Sequence, residues 1–286
     1  MKSGHTTARI RRIRAEEDRP ALVGYLPAGF PSVELSREAM RRLVQPGDGP
    51  GVDLVEVGMP YSDPVMDGVT IQQAATRALQ RGVRTRDVFS CVETVAAAGS
   101  LAIVMIYWNL VERYGVAAFA RDLAAAGGAG LITPDLTPDE GEEWIAVSDE
   151  YDLDRVFLVS PSSTDARLAS TVAACRGFVY ATAVMGVTGI RAQASTAAPD
   201  LVARIRAVDA DAVAGVGVGV SNGDQARETG TYADAVIVGT ALVGTLVRAD
   251  DAGQPSDLAG LSACVRDLAS GVRGAGGRAA GTSPGR

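Results

Sequence analysis

Lysine and histidine are almost missing from this chain of 286 residues: Lys2 and His5 are the single copies, and both fall in a polar N-terminal segment expected to be mobile. A Schiff base needs a buried lysine, and a histidine-bound metal or a Ser-His-Asp relay needs histidines inside the fold, so none of these is expected. Cysteine is scarce as well. Cys91, Cys175 and Cys264 are odd in number, far apart and without a CxxC spacing, which suggests neither a disulfide framework nor a zinc cluster and fits a reducing cytoplasm. No stretch approaches ~18 uninterrupted apolar residues, and the N-terminus lacks an apolar segment of signal-peptide type, so neither a membrane span nor export is expected. Basic charge is in deficit: a net charge of −7 and a pI near 4.9 argue against nucleic acid or an anionic membrane as the main partner.

With lysine and histidine excluded, acid and base catalysts must come mainly from Asp, Glu, Tyr or Cys. A hydrophobic content of 47% is ample for a large core. Eight short apolar runs recur, at 21–27, 52–58, 101–107, 129–135, 155–160, 177–183, 212–220 and 234–240. Each is nearly continuous in hydrophobicity, which marks parallel strands covered on both faces. Helix-compatible segments such as VELSREAMRRLV, TIQQAATRALQ and APDLVARIRAV lie between them. Eight β-then-α units point to a single (β/α)8 TIM barrel, with an open doubly wound sheet as the alternative. Residues 1–19 read as an added N-terminal helix or arm able to cap the barrel bottom, 20–272 as the barrel, and 273–286, rich in Gly, Ala and Ser, as a disordered tail.

Barrel enzymes draw their catalytic groups from the C-terminal ends of strands and the loops that follow. Glu56 stands at such an end, in the apolar run VDLVEVG, and Asp67 follows in the next loop, in VMDGVT. An apolar setting raises a carboxyl pKa, so Glu56 is a candidate proton carrier; the alternative is a structural acid bonded to a neighbouring strand. Asp67 alone reads as a helix cap, and Asp63 before Pro64 as a turn former. Together, Glu56 and Asp67 could protonate one part of a substrate and polarise another. Tyr107 and Tyr180 could line the same mouth or simply pack the rim. Late in the chain, the glycine-rich turns GVTG (186–189), GVGVGVSNGD (215–224) and VGTALV (238–243) follow strands six, seven and eight, where barrels commonly hold phosphate on backbone amides. The bottom-up reading is therefore a phosphate-gripping barrel with carboxylate acid/base chemistry.

EVGMPYSDPVMDGVTIQQAATRAL resembles the signature of the tryptophan synthase α subunit family, and GYLPAGFP, MIYWNLVERYGVAAFARDLAAAGGAGLITPDLTPDE, LVSPSS, MGVTG, VGVGVSNGDQ and VIVGTAL follow in family order over roughly residues 15–250. That resemblance implies a (β/α)8 barrel that cleaves indole-3-glycerol phosphate to indole and glyceraldehyde 3-phosphate by a retro-aldol reaction. It implies Glu56 as the general acid/base and Asp67 as the carboxylate that stabilises the charged indole nitrogen. Thr188, Gly189, Gly219, Gly239 and Thr240 fall at substrate and phosphate positions, and Tyr25, Tyr107, Asp135 and Tyr180 around the indole pocket or its supporting network. The resemblance implies no metal and no cofactor in this chain; pyridoxal phosphate would belong to a β-subunit partner, which Asp63 and Pro64 would help to contact in an αββα-type assembly. Met66, Val69 and Phe178 depart from residues common in relatives, and bear on partner coupling more than on chemistry. A stand-alone indole-releasing lyase, and a catalytically weak barrel that activates a β subunit, are the alternatives.

Overall fold

A computed structural model describes residues 2–64, 66–182, 197–217 and 219–276. The apolar runs form nine short strands: β1 (Ala21–Pro27), β2 (Leu54–Gly58), β3 (Leu101–Met105), β4 (Gly128–Ile132), β5 (Asp154–Val156), β6 (Leu158–Val159), β7 (Val179–Thr182), β8 (Ala214–Gly217) and β9 (Ala235–Val238). All neighbours pair in parallel, in the order β5-β4-β3-β2-β1-β9-β8-β7-β6. Phe157 alone separates β5 from β6, and its carbonyl accepts from Tyr180 N at 3.2 Å. These two pieces are thus one barrel strand, and β1 pairing with β9 completes a ring of eight. A doubly wound sheet would leave two open edges and reverse its strand order, and neither occurs here.

Side chains alternate across a strand, so each strand serves two cores. Leu22, Val55, Val57 and Val104 point outward into the layer beneath the helices. Val23, Leu54, Ile103, Ile132, Phe178 and Ile237 point inward and fill the barrel. The surrounding helices are α2 (Val33–Val44), α3 (Val69–Gln80), α4 (Asp87–Ala97), α5 (Trp108–Tyr114), α6 (Val116–Ala125), α7 (Glu142–Glu150), α8 (Asp165–Ala174), α9 (Ala197–Val208), α10 (Gly223–Gly230), α11 (Thr240–Asp251) and α12 (Ala259–Arg273). Two of them, α5 and α11, have no counterpart in the helical segments read from the sequence. The apolar pattern of β9 runs on into α11 with Gly239 as the only break, and α5 starts directly after Tyr107.

The N-terminal segment is anchored, contrary to the mobility expected of it. Its helix α1 (His5–Glu17) lies under the barrel with Ile10 and Ile13 inserted among the inward side chains, each burial worth about 1.5–3 kcal/mol. Gly4 at the N-cap has no side chain to close the helix. Asp154, fully buried at the start of β5, supplies the cap: it accepts from His5 N at 3.0 Å, Thr6 N at 2.8 Å and Thr6 Oγ1 at 2.6 Å. Lys2 and His5 pair with Asp149 and Asp152 on the same side, so the single lysine and histidine are committed far from the catalytic mouth. Above α1, Arg19 grips Asp53 with two bonds of 2.7 and 2.9 Å, and Asp53 also accepts from Leu22 N at 2.8 Å. At the other end α12 continues through Arg273, the first residue assigned to the tail; residues 277–286 lie outside the described residues.

Candidate active site

The alternation that sends Leu54 into the barrel sends Glu56 there as well, one layer higher and in register with Tyr25 of β1. Glu56 is 1% exposed, and its Oε2 has no hydrogen-bond partner among the described residues. Burial, and after it the charge of Asp67, pushes the Glu56 carboxyl up to about 8. An anonymous structural acid would bond to its neighbours; this one keeps an oxygen free.

Asp67 reaches the same space from the loop after β2. The cap of α3 is Gly68, which makes no side-chain bond, so the Asp67 carboxylate is not spent as a helix cap. The loop is held by its backbone: Gln72 Nε2 donates to Asp67 O at 2.8 Å, and Met66 N donates to the Tyr107 hydroxyl at 3.2 Å. Burial pushes Asp67 up to about 6. Tyr25 and Tyr180 complete the ring of polar groups, their hydroxyls held well above the ordinary tyrosine value by burial and then by the charges of Asp67 and Glu56. Both therefore stay protonated and can donate.

These four side chains wall one cavity with Met105, Leu158 and Ile237, and its floor at the β8 and β9 end is Gly217, Gly219, Val220, Gly239 and Thr240. The glycines have different reasons to be there. A Cβ on Gly58 would overlap the Tyr25 ring, and one on Gly217 would lie 2.8 Å from the Tyr180 hydroxyl, so these two make room for tyrosines. Gly219 has φ +74°, a left-handed backbone that glycine adopts without strain in the turn after β8. Gly239 is the N-cap of α11 and leaves that helix without a side-chain cap, whereas Asn222 already caps α10 by accepting from Gln225 N at 3.0 Å. The positive end open to this cavity is thus that of α11, beside Thr240.

Not every residue expected at the site lines it. Tyr107 lies behind the strand-two loop, stacked on Tyr61, and Asp135 accepts from Trp108 N at 2.9 and 3.1 Å, closing the start of α5. Both brace the loops around the cavity. Asp63, bonded to Ser62 Oγ at 2.7 Å, and Pro64 sit on the outer side of the strand-two loop, with Asp63 exposed. Thr188 and Gly189 lie outside the described residues. Phe178 belongs to the inner core below Tyr180, where its ring fills the space over Gly215. Met66, one of the departures from residues common in relatives, is itself a cavity wall, and Val69, another, is 77% exposed at the start of α3. The apolar walls Met105, Leu158 and Ile237 were not singled out in the sequence, because they lie on strands other than those of Glu56 and Tyr180 and only the inter-strand register brings them to the cavity. Among the described residues no group of three His, Cys, Asp or Glu side chains could hold a metal ion, and no helix is long and apolar enough to cross a membrane.

A closed parallel barrel whose mouth joins a buried glutamic acid, a second carboxylate, and glycine turns with a helix N-terminus at the carboxyl ends of the last two strands has the layout of a lyase-type barrel for phosphorylated substrates. The family model described as "Tryptophan synthase alpha chain" matches residues 12–273. The chain belongs to the tryptophan synthase alpha chain family. Among its relatives, the tryptophan synthase alpha chain of Mycobacterium marinum is 59% identical over 257 residues, 90% of this chain and 91% of that one. That of Salinispora tropica is also 59% identical over 257 residues, covering 90% and 94%. Tryptophan synthase of Mycobacterium tuberculosis superposes with a TM-score of 0.87 at 53% identity, covering 95% of this chain and 99% of that chain. A mutant alpha-subunit from the hyperthermophile Pyrococcus furiosus superposes at 0.79 with 28% identity, over 88% and 98% of the two chains.

Proposed function

We propose that the chain is the α subunit of a tryptophan synthase, that it cleaves indole-3-glycerol phosphate to indole and glyceraldehyde 3-phosphate, and that Glu56 and Asp67 carry the chemistry. The observation that bears most weight is the Glu56 carboxyl: buried in the cavity wall, pushed up to about 8, and with its Oε2 bonded to none of the described residues. At neutral pH it is an acid ready to donate, while Asp67 at about 6 is mostly ionised. Two carboxyl groups pushed to different values take different roles.

In the cleavage, Glu56 gives its proton to the ring carbon that bears the glycerol chain. The positive charge that this creates is shared with the ring nitrogen, and the Asp67 carboxylate stabilises it. The Glu56 carboxylate then takes the proton of the glycerol hydroxyl next to the ring; the O–H electron pair forms the aldehyde C=O, the carbon–carbon bond breaks, and its pair returns aromaticity to the indole. Glu56 ends protonated as it began, so no net proton is consumed. The apolar walls Met105, Leu158 and Ile237 suit an indole ring, and Gly219, Gly239 and Thr240 at the α11 end suit the phosphate; by the family resemblance Gly189 is a further phosphate residue and Thr188 belongs to the loop that closes over the site and communicates with the partner.

Indole passes to a β subunit, where pyridoxal phosphate belongs, and Asp63 and Pro64 on the outer side of the strand-two loop are assigned to that contact. The cytoplasm is the compartment we assign. The test is steady-state indole release from indole-3-glycerol phosphate by wild type and Glu56→Gln, each with and without β subunit. We expect turnover that the β subunit stimulates, and loss of at least about 10³-fold in the variant, the scale for removing an acid/base catalyst together with its charge. Turnover near wild type in Glu56→Gln would refute the assignment. High unstimulated turnover would favour a stand-alone lyase, and no turnover in either condition a weak barrel that only activates its partner.

A further inference from the structure

The loop that brings Asp67 to the cavity is long and lies at the barrel rim, so something outside the cavity must hold it. One anchor near the acid that comes from another loop is the bond from Met66 N to the Tyr107 hydroxyl, 3.2 Å. Tyr107 is 6% exposed. The group covering it is Tyr61, half-buried in the same strand-two loop, whose ring lies flat on that of Tyr107 with centroids 4.4 Å apart and planes inclined by 20°. The Tyr61 hydroxyl is itself fixed, accepting from Asn109 Nδ2 at 3.0 Å. Asn109 lies in the first turn of α5, and the start of that helix is tied to the strand-four loop by the Asp135 carboxylate on Trp108 N. Tyr61 is not a wall of the catalytic cavity; it faces the neighbouring groove with Asn109 and Arg113.

We infer that Tyr61 is a positioning residue for Asp67: its ring stack and its hydroxyl–amide bond lock the strand-two loop to the strand-three loop and shield the Met66–Tyr107 bond from water. This rests on the reading of Glu56 and Asp67 as the reacting pair. A backbone amide bonded to a phenol loses most of its hold when water competes for both groups, and a flat ring excludes that water. Tyr61→Ala removes the cover, the stack and the Asn109 bond together. Tyr61→Phe keeps the ring and loses only the bond, and Asn109→Ala loses the same bond from its other end.

The test is indole release by the full chain, alone and with its β subunit, together with the pH dependence of kcat. For Tyr61→Ala we expect kcat to fall about tenfold, the scale of a misplaced catalytic group, with KM within about twofold because the phosphate end of the cavity is untouched. The acid limb of the kcat profile should also move to lower pH as Asp67 is held less firmly in its apolar position, a change that a loss of folded protein cannot produce. Tyr61→Phe and Asn109→Ala should each lose no more than about threefold, and the double variant no more than either alone, since both delete one bond. Wild-type kcat and an unmoved acid limb in Tyr61→Ala would overturn the proposal. So would a loss seen only with the β subunit present, which would make Tyr61 a partner contact. Activity retained in Glu56→Gln, measured beside these, would instead overturn the underlying reading of the site.

Discussion

Replacing Glu56 by glutamine should stabilise the folded chain while it removes the acid, and the gain should grow with pH. The ordinary glutamate value is 4.5, and in the fold the carboxyl is pushed up to about 8. Folding therefore takes up a proton at any pH between the two. Because the folded value is the higher one, the stability contributed by the protonated side chain is fully present below 4.5 and is lost as pH rises toward and through 8. Linkage puts the loss at about 1 kcal/mol at pH 5, about 3 kcal/mol at pH 7 and about 4 kcal/mol at pH 8. Glutamine fills the same space with no charge at any pH, so any fixed cost of its amide cancels when the difference from wild type is followed against pH. The assay is urea denaturation of both proteins from pH 5 to pH 8. A difference in unfolding free energy that stays flat across this range would show that Glu56 is not held protonated by its surroundings, and the mechanistic role derived from that state would fall with it.

The same two carboxyl groups set the pH profile of turnover: Asp67 must be ionised and Glu56 protonated, so kcat should be greatest between about 6 and about 8, with an acid limb that Asp67→Asn removes along with most of the activity. An optimum outside that window, measured by indole release, would contradict the assignment. Gly217→Val should displace the Tyr180 ring, since even a Cβ there stands 2.8 Å from its hydroxyl, and lower kcat/KM by about tenfold with the far-ultraviolet dichroism unchanged. Asp53→Ala removes two bonds from the guanidinium of Arg19, which is 2% exposed, and leaves it on the Glu17 carboxylate and the Pro20 carbonyl; it should cost about 1.5–3 kcal/mol in denaturant titration while turnover per folded molecule is kept.

The strands were legible because parallel strands buried on both faces must be apolar throughout, and β1 falls on the run 21–27 residue for residue. Glu56 was legible for the complementary reason: a charge in such a run has to be accounted for. Continuity of the same apolar signal hid α11, since nothing but Gly239 separates its first turn from β9. For Tyr107 and Asp135 the sequence left open whether they wall the pocket or belong to its supporting network. Each sits within one loop of the cavity in sequence, yet the hydroxyl of one and the carboxylate of the other turn to backbone amides, and that choice depends on which loop lies alongside. The cavity walls Met105, Leu158 and Ile237 need strand parity and inter-strand register together, because apolar composition does not distinguish the lumen from the helical layer. The anchoring of α1 was invisible for a similar reason: its cap comes from Asp154, far along the chain, and not from a residue beside it.

That distant cap orders events during synthesis. Residues 5–17 leave the ribosome long before residue 154, so the carboxylate that closes their helix and most of the inward side chains that receive Ile10 and Ile13 are translated much later. Until β5 has emerged, the leading helix has neither its electrostatic complement nor its apolar seat, and a helix of this length is marginal in water on its own. Docking of α1 thus reports that the fifth barrel strand is in place, and the bottom of the barrel is sealed late, by a helix translated before any of the strands that it covers.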